Sequence, residues 1–228
     1  MKRETRACGR RLAITGLAKV PRKGEYIVDL SDGYRFRVTA EQASRFGLDE
    51  GRELYADEVP GLERGYEIAV ARQAAIRLLK VRPRSAGEIR RELVRRKHRA
   101  EAIGAVVADF EETGLLDDRL FARLWIRERI ERKGFGRRRI ASELVQKGVD
   151  REIVESELDS GFDEEGEVAV AERAARARLR RLQSVPLETR KRRVYTYLMR
   201  SGFTSDIAAA AVKSVMQVFS GEESNDIG

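Results

Sequence analysis

The chain has 228 residues, with 46 basic and 38 acidic side chains, a formal net charge of +8, and 42% hydrophobic residues. That composition excludes a disordered polymer and an obligate membrane protein, since no apolar run approaches the ~18 residues needed to cross a bilayer. One cysteine, Cys8, and one histidine, His98, exclude an internal disulfide, a thiolate zinc cluster, and any metal site built on several histidines. The opening segment, Met1 to Arg11, is basic and polar without the apolar core of a secretory signal, so a cytoplasmic, membrane-free protein is expected.

Residues 1–65 read as a small β-rich head. Gly24 to Leu30 and Tyr34 to Thr39 alternate apolar and polar residues around Ser31-Asp32-Gly33, which predicts a β-hairpin with Tyr26, Val28 and Leu30 on one face and Tyr34, Phe36 and Val38 on one face of its partner. Ile14 to Val20 and Glu53 to Val59 supply candidate strands. Between them, Thr39 with Gln42 forms a capping-box pattern for a short helix ending near Gly47. The charges of residues 1–68 nearly cancel, 13 basic against 12 acidic, so the basic surplus lies further along the chain.

From about Glu67 the apolar period becomes helical. Ala71, Ala74, Ala75, Leu78 and Leu79 follow three-and-four spacing, Pro83 interrupts, Ser85 and Glu88 cap the next helix, and Ala102 to Phe110 makes a third. The plan recurs as Leu120 to Ile130, Arg137 to Lys147 and Arg151 to Leu158, and again as Val168 to Leu182, Leu187 to Arg200 and Thr204 to Val218. Each middle helix carries an apolar pair: Ile89 and Leu93 running into Lys97, Ile140 and Leu144 into Gly148, Val194 and Leu198 into Gly202. Positions 89, 140 and 194 lie 51 and 54 residues apart, a tandem supersecondary unit. The expected fold is mainly α: three-helix repeats at 66–117, 118–163 and 164–220 in an elongated array, preceded by the head and followed by a disordered tail, 221–228.

Charge repeats with the helices. Residues 77–99 hold ten basic and two acidic groups, while 100–118 hold six acidic and none basic. Residues 119–147 hold ten basic and three acidic, and 148–167 nine acidic and one basic. In the last unit, 168–200 hold ten basic and two acidic, and 201–228 four acidic and one basic. The first two helices of each unit are therefore basic and the third acidic.

Solvation of outer faces would explain one such helix, but three in register also suit phosphate contacts spaced along a polymer. The candidate nucleic-acid or filament-binding residues are Arg90, Arg91, Arg95 and Arg96 in the first repeat. Lys133, Arg137, Arg138 and Arg139 are those of the second, and Lys191, Arg192 and Arg193 those of the third. The acidic helices could meet a basic protein partner or the basic helices of an adjacent repeat.

Catalytic chemistry finds no seat. No phosphate-binding Gly-rich loop, no His-Glu-x-x-His and no Gly-x-Ser-x-Gly occurs. Gly134-Phe135-Gly136 reads as a turn between packed helices, Asp117-Asp118 as a helix N-terminus, and Trp125 as a core residue beside Phe121. Tyr195 and Tyr197, flanking Lys191 to Arg193, are the better base-stacking candidates. Neither an enzyme nor a cofactor or metal is expected.

One segment resembles a known family. Arg82-Pro83-Arg84-Ser85 followed by Glu88-Ile89 and Leu93 begins it, and Gly114-Leu115-Leu116-Asp117-Asp118 leads to Phe121-Ala122. Lys133-Gly134 with Gly136, Ile140, Leu144 and Lys147-Gly148-Val149 completes a match to the RecX family of recombination regulators. It covers residues 69–160 strongly and the third repeat more weakly, because Ser184 to Leu187 departs from the glycine-containing turn. The resemblance implies a modulator of RecA, mainly inhibitory, whose repeats lie along the RecA filament on single- or double-stranded DNA and hinder ATP hydrolysis and strand exchange. A monomer is expected. The alternative is a general sequence-independent DNA-binding protein with helix-turn-helix-like units.

Overall fold

The computed structural model describes residues 9–21, 23–163, 166–182 and 184–225, so Cys8 and the last three residues of the expected tail lie outside the described part. The chain forms two compact units. One combines residues up to 82 with 89–113, the other 83–88 with the residues from 114 onward.

The first unit opens with four antiparallel strands, β1 (Arg11–Val20), β2 (Glu25–Leu30), β3 (Arg35–Thr39) and β4 (Glu53–Tyr55), ordered β3-β2-β1-β4. Strand alternation sends Leu12, Ile14, Val28, Leu30, Phe36, Val38 and Leu54 into one core. Tyr34, expected to extend the β3 stripe, sits exposed just before the strand, and its hydroxyl donates to Glu63 at 3.0 Å. Helix α1 (Ala40–Arg45) begins with the expected capping box, Gln42 N–H to Thr39 Oγ1 at 3.1 Å and Thr39 N–H to Gln42 Oε1 at 3.0 Å.

Helix α2 (Val59–Leu79) starts at Val59 rather than near Glu67. Pro60 suits the first helical turn, where its missing N–H costs nothing, and Val59 and Leu62 of the same turn are buried in the core of the head. These opening turns thus serve the sheet, and only the later part, with Ala71, Ala74, Ala75 and Leu78, carries the three-and-four spacing of a helix bundle. Helix α3 (Ala86–Arg95) follows, then α4 (Ala100–Glu112), which packs on α2 and buries Ile103, Val106, Val107 and Phe110.

The second unit contains α5 (Asp118–Glu128), which runs into a π-helical turn (Arg129–Lys133), then α6 (Arg137–Lys147) and α7 (Arg151–Asp163). Next come α8 (Gly166–Leu179), a 3-10 turn (Arg180–Leu182), α9 (Leu187–Arg200) and α10 (Ser205–Asn225). First and third helices pack together in every repeat, α2 on α4, α5 on α7 and α8 on α10. The three apolar pairs of the middle helices, α3, α6 and α9, are all buried. Asp117 accepts from Leu120 N–H at 2.9 Å and so caps α5 as expected.

Each middle helix ends in a residue with left-handed backbone: Lys97 (φ 65°), Gly148 (φ 85°) and Gly202 (φ 95°). This is the geometry of a helix C-terminal cap, and it explains the glycine in two of three copies. The caps have a second role in the second unit. Gly136, opening α6, lies so close to the end of α9 that a Cβ there would sit 2.6 Å from Phe203 N and 2.7 Å from Gly202 C. Gly136 N–H donates to Ser201 O at 2.8 Å and Arg138 N–H to Gly202 O at 3.1 Å. Gly87, in the first turn of α3, approaches the end of α6 in the same way, 2.7 Å from Gly148 Cα to a built Cβ, while Ser85 Oγ donates to Lys147 O at 2.6 Å. Free amides at one helix start meet free carbonyls at another helix end. At the α6–α9 junction each satisfies the other's unpaired groups.

Candidate functional site

The acidic third helices of the first two repeats, α4 and α7, spend much of their charge inside their own repeats. Asp109 on α4 pairs with Arg72 on α2 at 2.6 Å, and Glu111 pairs with Arg90 on α3 at 3.2 Å. On α7, Glu157 receives Arg119 at 3.2 Å and Arg123 at 3.3 Å, both from α5, and Asp159 pairs with Arg137 of α6. In the first two repeats the acidic helices thus pair inside the chain, but with basic helices of their own repeat and not with those of an adjacent one as the sequence suggested. Glu112, Glu152 and Glu155 stay exposed without an ion pair among the described residues.

This pairing sorts the eleven candidate cations. Arg90, Arg91, Arg95 and Arg96 are exposed on α3 in the first unit, where Glu92 holds Arg95 at 2.6 Å and reaches Arg96 at 4.0 Å. In the second unit Arg137 is half-buried: besides pairing with Asp159, its backbone N–H donates to Glu167 at 3.0 Å. Arg139 is committed too. Its guanidinium lies 3.7 Å from the Phe135 ring centre, 3.6 Å from Glu143 and 3.3 Å from the carbonyl of Arg200. Lys191 pairs with Glu188 at 2.7 Å. Lys133, Arg138, Arg192 and Arg193 are exposed and have no ion-pair partner among the described residues.

Two arginines absent from the expected set complete the picture. A groove of about 340 Å³ is lined by Arg178 of α8 and by Arg192, Arg193, Thr196, Tyr197 and Arg200 of α9. No carboxylate lines it. The stripe on α9 was present in the sequence as Arg192, Thr196 and Arg200 at four-residue intervals, with Arg193 and Tyr197 alongside. Arg178 comes from another helix, and local spacing gives no sign of it. Its guanidinium lies over Tyr197, 5.6 Å from the ring centre.

The aromatic candidates are largely committed. Trp125 packs beside Phe121, donates Nε1–H to Glu143 at 3.0 Å and has Arg129 and Lys147 over its ring at 3.8 and 4.1 Å. Tyr195 and Tyr197 are half-buried against the core. Among the described residues no three His, Cys, Asp or Glu side chains are grouped to hold a metal ion, and no helix is long and apolar enough to cross a membrane.

Known proteins share this organisation. Family models of the first, second and third three-helix domains of RecX match residues 71–110, 117–158 and 165–212. A regulatory protein RecX from Thermobifida fusca is 36% identical over 149 residues, covering 65% of this chain and 80% of that one. The Streptomyces coelicolor counterpart is 31% identical over 158 residues, 69% of this chain and 83% of its own. A Listeria monocytogenes counterpart is 28% identical over 189 residues, 83% and 70%.

Two crystal structures share the fold. One of a regulatory protein RecX has a TM-score of 0.66 at 24% identity, covering 86% of this chain and 96% of that one. RecX from Lactobacillus salivarius has a TM-score of 0.59 at 19% identity, covering 66% and 97%. With all three repeat domains matched in order and a relative above one-third identical, the chain belongs to the RecX family of regulatory proteins.

Proposed function

We propose that the chain regulates RecA, mainly by inhibition, by binding along the RecA–DNA filament and lowering its ATPase and strand-exchange activities without chemistry of its own. The observation that carries this reading is the survival of partner-free cations on successive middle helices, Arg138 on α6 and Arg192 and Arg193 on α9, after the carboxylates nearby have engaged their neighbours. Side chains held apart by a repeat suit phosphates that recur along a polymer, and such contacts position a protein without reading sequence. The exposed Glu112, Glu152 and Glu155 leave acidic surface for a protein partner within the same filament. The chain acts as a cytoplasmic monomer and needs no cofactor.

Strand exchange by RecA tests the reading. Wild-type protein should inhibit it, and the triple variant Arg138→Glu, Arg192→Glu, Arg193→Glu should lose most of that inhibition while keeping its thermal stability. These positions are better suited than Arg137 and Arg139, whose reversal would also break contacts inside the fold. Full inhibition by the triple variant would sink the proposed cationic face.

A further inference from the structure

The arginine groove of the third repeat contains a buried donor that the protein leaves unused. Arg178 Nε is shielded from solvent and finds no hydrogen-bond acceptor among the described residues. A shielded donor without an acceptor is a cost the fold carries at this place, beside a cluster of like charges. Around it stand Arg192, Arg193 and Arg200, with no lining carboxylate to offset four like charges. A guanidinium group does not lose its proton in a protein, so such crowding is not relieved that way. An anion is the remaining way to neutralise them.

Shape and donors narrow the class of anion. Arginine presents a planar fork of N–H donors that matches phosphate oxygens two at a time. Tyr197 backs Arg178 on one side, its ring centre 5.6 Å from the guanidinium carbon. Thr196 Oγ1 is turned back to its own helix, donating to Arg192 O at 2.8 Å, so the donors facing a ligand are guanidinium groups. The volume, about 340 Å³, admits a phosphate with part of its ester.

We propose that Arg178, Arg192, Arg193 and Arg200 form a seat for a phosphate group, supplied by the phosphodiester backbone of nucleic acid. The assignment rests on the proposed nucleic-acid contact of the basic faces, and it adds Arg178 and Arg200 to that contact as its structured part. Arg178 contributes its charge from α8 and Arg200 from the last turn of α9, where Arg139 donates to its carbonyl.

The test uses the full chain labelled with nitrogen-15. The Arg178 Nε–H signal, identified by its loss in Arg178→Lys, is followed while a single-stranded oligonucleotide or inorganic pyrophosphate is added. A shift with the oligonucleotide supports the backbone seat. A shift with pyrophosphate that the oligonucleotide cannot displace supports a phosphate seat but assigns it to a free ligand. No shift with either overturns the seat.

A second readout guards against Arg178→Lys simply loosening the fold. Arg200→Gln, at an exposed position, should lower the steepness of log affinity against log salt by about 0.7 for the single strand, one phosphate contact. Unchanged steepness, in a wild-type protein that does bind salt-sensitively, would overturn the seat and leave the proposed function standing. Failure of wild-type protein to affect RecA, with the signal still shifting, would do the reverse.

Discussion

Replacing Gly136 by alanine measures how tightly α6 is seated on the end of α9. The backbone of Gly136, φ −82° and ψ 166°, is open to any residue. Alone, then, the change should stabilise the fold by about 0.4–1 kcal/mol by narrowing the unfolded ensemble. The seat reverses that sign. A Cβ would come within 2.6 Å of Phe203 N, 2.7 Å of Gly202 C and 2.8 Å of Gly202 O, all backbone atoms that cannot swing aside. Relief requires α6 to slide away, stretching the bonds from Gly136 N–H to Ser201 O and from Arg138 N–H to Gly202 O.

Overpacking of this kind costs about 1–3 kcal/mol, and each weakened hydrogen bond about 1 kcal/mol more. The net loss should be about 3 kcal/mol, on the order of 10 °C in melting temperature for a unit of this size. Thermal unfolding followed by far-ultraviolet circular dichroism reads it directly. Gly104→Ala is the matched control: Gly104 is exposed on α4 and a Cβ there meets nothing within 4 Å. That control should gain about 0.5–1 kcal/mol, as alanine does for glycine inside a helix. If Gly136→Ala melts at or above the wild-type temperature, the close seat does not exist.

Three further outcomes follow from local geometry. Lys97→Gly should stabilise the first repeat by about 1 kcal/mol in chemical denaturation, because Lys97 occupies a left-handed backbone that glycine adopts without cost; equal or lower stability would contradict the assigned cap. Asp117→Ala should cost about 1 kcal/mol by leaving Leu120 N–H without its cap, whereas Asp117→Asn should cost much less.

The Tyr66 phenol is held above its ordinary value, first by burial and also by donating to Glu25, while Arg37 opposes the shift. Its contribution to stability is therefore complete below the ordinary phenol pKa of about 10 and is lost as pH climbs past it. An ultraviolet tyrosine titration should show late-ionising phenols, Tyr34 beside Glu63 being raised as well, and Tyr66→Phe should remove part of that late component; an unchanged late component in Tyr66→Phe would contradict this.

The helices were legible where periodicity and chemistry agreed. The bounds of α6 at Arg137 and Lys147, the Thr39 and Ser85 capping boxes and the buried pairs Ile140–Leu144 and Val194–Leu198 all follow from spacing within one element. The start of α2 was hidden because Val59 and Leu62 answer to the sheet's core and not to the bundle period. The Gly136 seat was hidden for a different reason. A glycine chosen for close approach looks like a glycine chosen for a turn until its neighbour, Gly202, is known.

Charge counting found the basic and acidic helices but not their pairing. Arg137 and Arg138 are adjacent and chemically identical, yet one is locked to Asp159 and the other faces solvent. Arg178 was missed because it reaches the α9 stripe from α8, through a contact that no local pattern encodes.

The most direct measurement is a titration of this protein into DNA-dependent ATP hydrolysis by RecA at constant filament concentration. Hydrolysis should fall at amounts well below those that coat the DNA, and the Arg138→Glu, Arg192→Glu, Arg193→Glu variant should need far more protein for the same effect. Hydrolysis that stays unchanged until the DNA is fully covered would contradict regulation of the filament and leave only a general DNA-binding protein.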